Sequence, residues 1–90
     1  MRGTISIRVT GKVQGVFFRQ STREKAMELG LTGEVKNLDD GSVSITATGL
    51  PDQLNALANW CKQGPSRAKV SNVEVRDEPL REFSDFSVIR

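Results

Sequence analysis

Ile5, Ile7 and Val9 fall on one parity of the Thr4–Thr10 run, with Thr4, Ser6, Arg8 and Thr10 on the other. Alternation of period two predicts a strand with one buried face. Gly11-Lys12-Val13-Gln14-Gly15-Val16 interrupts it with two glycines. From Phe18 to Leu29 the spacing lengthens. Phe18, Thr22, Ala26 and Leu29 form one stripe of a helix, and Gly30 stands where a helix-terminating glycine belongs. Leu31–Leu38 is a short second strand, with Val35 its best apolar member. Asp39-Asp40-Gly41 signals a turn, and Ser42–Gly49 alternates again through Val43, Ile45 and Ala47. An Asp-Gly pair between two such runs predicts a β-hairpin. Leu50-Pro51-Asp52 opens a second helix, because proline suits a first turn and aspartate suits the positive end of the dipole. Its stripe is Leu54, Leu57, Ala58 and Cys61, with Trp60 on the shoulder, and Gly64-Pro65 stops it. Lys69–Arg76 carries Val70, Val73 and Val75. The step from 70 to 73 breaks strict alternation and predicts a bulge. Asp77-Glu78-Pro79 reads as a loop, and Phe86 with Val88 as a last short strand.

The order is β-α-β-β-α-β with an extra strand at the end. Two helices on one face of an antiparallel sheet is the ferredoxin-like α+β solution, here with a short extra C-terminal strand. Residues 1–90 read as a single domain. With 37% hydrophobic and 27% charged residues, eight glycines and three prolines, the chain is neither collagenous nor a disordered tail. No run of apolar residues is long enough to span a membrane, and the first residues lack the apolar stretch of a signal peptide. One cysteine, Cys61, makes no internal disulfide, so a reducing, cytoplasmic setting is expected. There is no histidine. That excludes a histidine-based triad and leaves no set of ligands for a zinc site of the usual kind. A net charge of +2 suits a small anionic ligand and falls well short of a nucleic-acid tail.

The stretch that carries chemistry is Gly11-Lys12-Val13-Gln14-Gly15-Val16-Phe17-Phe18-Arg19. It leaves a strand, passes two glycines and enters a helix. Backbone N–H groups at such a turn converge into a concave anion site, and the helix dipole adds partial positive charge. Arg19 offers a planar fork of donors to the same anion. The spacing is neither that of a nucleoside-triphosphate loop nor that of a dinucleotide-binding turn. Taken alone, it equally describes a structural turn capped by a surface arginine. A second element is Asn37, at the end of the second strand. Its amide can orient water without changing charge. Taken alone, Asn-Leu-Asp-Asp-Gly is also ordinary turn chemistry.

Gly11–Arg19 matches the Gly-x-Val-Gln-Gly-Val-x-Phe-Arg signature of the acylphosphatases. Asn37-Leu38-Asp39-Asp40-Gly41-Ser42-Val43 matches that family's Asn-x-x-Asp-Gly-x-Val, and Trp60–Val70 resembles its Trp-x-x-x-Gly-Pro-x-x-Ala-x-Val stretch. Phe86–Arg90 resembles its terminal strand. The chain thus resembles an acylphosphatase over essentially its full length. The resemblance implies a metal-independent hydrolase of small acyl phosphates, without cofactor. The backbone of Val13, Gln14, Gly15, Val16, Phe17 and Phe18 would hold phosphate, Arg19 would bind it, and Asn37 would orient water. Small acyl phosphates and inorganic phosphate are the implied partners of a monomer, with no nucleic acid and no membrane. One departure is Glu34, where an aromatic residue is expected. Its parity is opposite to that of Val35, which directs it to solvent or to the substrate mouth. A non-catalytic or regulatory domain of the same fold, binding a phosphorylated small molecule, stays open. An RNA-binding platform is disfavoured by Ser6, Arg8, Ser44 and Thr46 on the outward face.

Trp60, Phe18 and Leu57 read as core, and Cys61 as a buried small hydrophobe rather than a nucleophile. Asp39 and Asp40 read as turn residues, since nothing nearby completes an oxygen cage for a metal.

Overall fold

The alternating runs pair into one sheet. β1 (Gly3–Lys12) lies between β4 (Lys69–Glu78) and β3 (Val43–Gly49), and β3 lies between β1 and β2 (Thr32–Asn37). β5 (Phe86–Ile89) closes the order β4-β1-β3-β2-β5. Four strands pair antiparallel, and β5 joins β2 in parallel, so the extra strand makes the sheet mixed. The computed structural model describes residues 1–89. Between the strands run α1 (Phe18–Glu28), over β2 and β5, and α2 (Pro51–Cys61), over β1, β3 and β4.

The core is the slab between helices and sheet. Ile7, Val9, Val35, Val43, Ile45 and Ala47 face it from the strands, and Phe18, Ala26, Leu57 and Cys61 from the helices. These are the positions that period two and period 3.6 select. Pro51 opens α2, and the Gln53 side chain accepts the Leu50 N–H at 2.9 Å, which satisfies a donor at the helix start. Gly30, at φ 77°, ends α1 as the sequence predicts.

The expected bulge is present. Thr10 pairs with Asn72 but Gly11 pairs with Val70, so Ser71 stands out of register. A Cβ on Gly11 would meet the Lys69 carbonyl oxygen at 2.2 Å. β4 runs two residues beyond the expected end. Asp77 and Glu78, read from sequence as loop, pair with Ile5 and Thr4. The ladder to β1 outweighs the poor strand propensity of two acids.

The 79–85 connection crosses the helix-free face. Its anchor is a closed ring of hydrogen bonds. The Arg81 N–H donates to Thr4 Oγ1 at 2.9 Å, the Thr4 and Thr48 hydroxyls lie 2.6 Å apart, and Thr48 donates to the Arg81 carbonyl at 2.6 Å. Both threonines are buried, and each hydroxyl is satisfied.

Candidate active site

The 13–17 turn is held from both sides. Val13 and Val16 are buried and pull it onto the core. Between them Gly15 takes φ 71°, with nothing within 4 Å of where its Cβ would stand. Its role is to turn the backbone and not to make room. Gln14 faces the β2–β3 hairpin. Its amide nitrogen donates to the Leu38 carbonyl at 2.8 Å and to the Ser42 carbonyl at 2.9 Å. One side chain thereby ties the turn to the hairpin that carries Asn37.

Phe17 completes the turn at φ 64°, ψ 23°, directly before α1. Among the described residues it is the one non-glycine with positive φ. For a bulky side chain this costs about 1–2 kcal/mol. Among the described residues no side chain caps the start of α1, and its first turn holds no acid. The opening N–H groups of the helix, with the positive end of its dipole, therefore face outward at this point.

Phe18 fixes where α1 begins. Its buried ring lies 5.6 Å from the Trp60 ring, tilted by 55°. A Cβ on Gly64 would stand 2.6 Å from the Phe18 ring, so only glycine lets the end of α2 approach so closely. Arg19 follows, half-buried, and its Nη1 donates to the Ile89 carbonyl at 3.1 Å. One turn on, Arg23 Nε donates to the Phe86 carbonyl at 3.1 Å. Both guanidinium groups lean on β5.

These elements surround a cleft of about 640 Å³ lined by Val13, Gly15, Phe17, Phe18, Arg19, Gln20, Asn37 and Val88. Arg19 and Asn37 thus share one cleft with the turn. Of the other turn positions, Gln14 and Val16 point their side chains away, into the hairpin and the core. Gln20 and Val88 were not singled out from the sequence. Gln20 lies just outside the matched signature, and Val88 reaches the cleft only through the parallel pairing of β5. Asn37 Oδ1 is buried without a hydrogen-bond partner among the described residues.

Among the described residues, Arg19 is the one charged residue lining the cleft, and no carboxylate, thiol or amine joins it there. Burial pushes the Cys61 thiol up to about 12, well away from a nucleophile's range. Asp40 is held below its ordinary value, first by the Ser42 hydroxyl, then by the Ser42 N–H, with Arg8 adding to it. Asp40 is thus a hairpin residue, bonded to Ser42 N and Oγ at 2.9 and 2.6 Å and ion-paired with Arg8. Glu34 does not line the cleft. It pairs across β3 with Thr46 on the helix-free face, 3.7 Å from Arg81. The substrate-mouth option is therefore corrected, because strand parity sends Glu34 and Asn37 to opposite faces of β2.

The cleft can offer a fork of N–H donors, a row of backbone N–H groups and one neutral amide. Among the described residues its lining holds no acid, cysteine or lysine. Fold and cleft define a small ferredoxin-like α+β domain with an N–H-rich turn at a helix start. A family model described as Acylphosphatase matches residues 5–88. A curated acylphosphatase of Marinobacter nauticus is 57% identical over 79 residues, 87% of this chain and 86% of that one. The solved structure of an acylphosphatase from Coxiella burnetii superposes with a TM-score of 0.95 at 48% identity, covering 98% of this chain and 93% of the other. That of Bacillus subtilis acylphosphatase gives 0.89 at 34% identity, over 100% of both chains. The chain belongs to the acylphosphatase family.

Proposed function

We propose that the 13–18 turn and Arg19 hold the phosphoryl group, and that Asn37 places the attacking water, in the acyl phosphate hydrolysis that defines this family. The observation that carries the reading is the cleft itself. Its lining combines the uncapped start of α1, the Arg19 guanidinium and Asn37, whose amide oxygen has no partner among the described residues. Water oxygen attacks phosphorus, the bond from phosphorus to the acyl oxygen breaks, and the carboxylate departs with the electron pair. A carboxylate is the conjugate base of an acid with pKa near 4, so it leaves without protonation. A cleft with no general acid is sufficient for such a group, where a phosphomonoester would demand one. Charge stabilisation and water placement remain; the N–H donors and Arg19 supply the first, and Asn37 the second. The proton of the attacking water passes to a phosphoryl oxygen of the substrate.

The same reading has the chain acting as a monomer on small acyl phosphates, without nucleic acid, in a cytoplasmic setting. Cys61 as a buried free thiol supports the reducing environment. No described helix is long and apolar enough to cross a membrane.

The test is hydrolysis of benzoyl phosphate in excess chelator, by wild type, Arg19→Ala and Arg19→Lys. Wild type turns over. Arg19→Ala loses about 10²–10³-fold, as for removal of one preorganised donor. Arg19→Lys does not restore it, because a point charge lacks the planar fork. Turnover of folded Arg19→Ala close to wild type would remove Arg19 from the site.

A further inference from the structure

Phe17 is an aromatic residue with 66% of its surface exposed, in a backbone conformation that disfavours it. Core packing does not explain the ring, because it contributes little to the core. Backbone preference does not explain it either, because glycine or asparagine fits a left-handed position with less strain. A disfavoured residue held at a cleft points to a task there. Phe17 lines the cleft together with Val88, and its exposed ring starts from that lining position, while Arg19, Gln20 and Asn37 supply the polar part. Among the described residues the lining contains no carboxylate or ammonium group.

An acyl phosphate has two unlike ends. The N–H groups and Arg19 suit its phosphoryl end. The acyl end must project from that point past the neighbouring apolar surface. Phe17 is both the residue that opens the helix and the apolar side chain beside its start. We propose that the Phe17 ring is the contact for the acyl group, and that it biases hydrolysis toward neutral aromatic and apolar acyl groups. This deepens the reading given under Proposed function and rests on it. An aromatic acyl group gains ring–ring attraction beyond the area it buries, and a small aliphatic one gains little.

The experiment compares kcat/KM for benzoyl phosphate and acetyl phosphate in wild type, Phe17→Gly and Phe17→Asn. Glycine and asparagine both adopt the left-handed conformation, so the turn keeps its path. The ratio of the two substrates divides out whatever a substitution does to the shared phosphoryl step. The benzoyl-to-acetyl ratio is expected to fall about fivefold in both variants. Melting temperatures equal to or above wild type would show that the loss is not one of folding. An unchanged ratio in either variant overturns the assignment, including the case in which both substrates lose activity equally. Acetyl phosphate turnover by wild type separates the two levels. If wild type hydrolyses neither substrate, the phosphoryl site itself falls and the acyl contact with it. If it hydrolyses both and the ratio does not move, only Phe17 is refuted.

Discussion

Asn37 holds an amide oxygen that no donor among the described residues reaches. Such an orphan costs about 1–3 kcal/mol of stability. A residue kept at that cost is expected to show opposite effects on stability and rate. Asn37→Ala should melt at or above the wild-type temperature while kcat falls about 10²-fold, with KM changing little. Melting curves and steady-state kinetics on one preparation decide it. A large rise in KM at constant kcat would mean that Asn37 binds the substrate and not the water. That Arg19 and Asn37 meet at one cleft was legible in the sequence, because their motifs are nearly continuous there. The conformation of Phe17 was not. Left-handed backbone is normally signalled by glycine or asparagine, and here the residue type argues against it. The surroundings of Glu34 were half legible. Parity gave its face, but Arg81 comes from a connection that carries no periodic signal.

Between elements, the joint that matters is Gln14. Its two hydrogen bonds run from the β1–α1 turn to carbonyls on both arms of the β2–β3 hairpin. In the proposed roles, holding the turn and Asn37 around one phosphoryl group needs that joint, since small misplacements at a reacting centre cost large factors in rate. Gln14→Ala is expected to lower kcat about tenfold or more. In an Asn37→Ala background the same substitution should cost far less, because there is no longer a positioned amide to misplace. Additive losses in the four-variant kinetic cycle would show that the joint serves only the turn. The elements themselves were readable from spacing, including the bulge at Ser71, which one irregular step between valines gave away. The pairing of β5 was not. A four-residue strand carries no mark of its neighbour, and its parallel alignment with β2 is decided by the long connection and by Phe86 entering the core.

For the whole molecule, the order of periodicities sufficed to give the architecture, because each run had one apolar face and one way to bury it. The anion-binding property is also testable at this scale. Inorganic phosphate is expected to raise the melting temperature by roughly 5–10 °C at ten times its Kd, from about 1.4 kcal/mol of linked stability. Phosphate also stabilises proteins by exclusion from their surface, and Arg19→Ala keeps that part while losing the specific one. Titrations at constant ionic strength on both proteins separate them, and equal shifts would refute an anion site at Arg19. A different consequence follows from the bond between Arg19 and the Ile89 carbonyl. The guanidinium is moored to the shortest strand of the sheet, at its outer edge. Edge segments open locally at free energies well below that of global unfolding. Warming should therefore release Arg19 while the slab beneath α1 and α2 is still intact. Catalytic output would then turn downward several degrees before the far-ultraviolet signal does, and cooling would bring it back in full. Coincident loss of turnover and helix signal would show that β5 holds as firmly as the rest of the sheet.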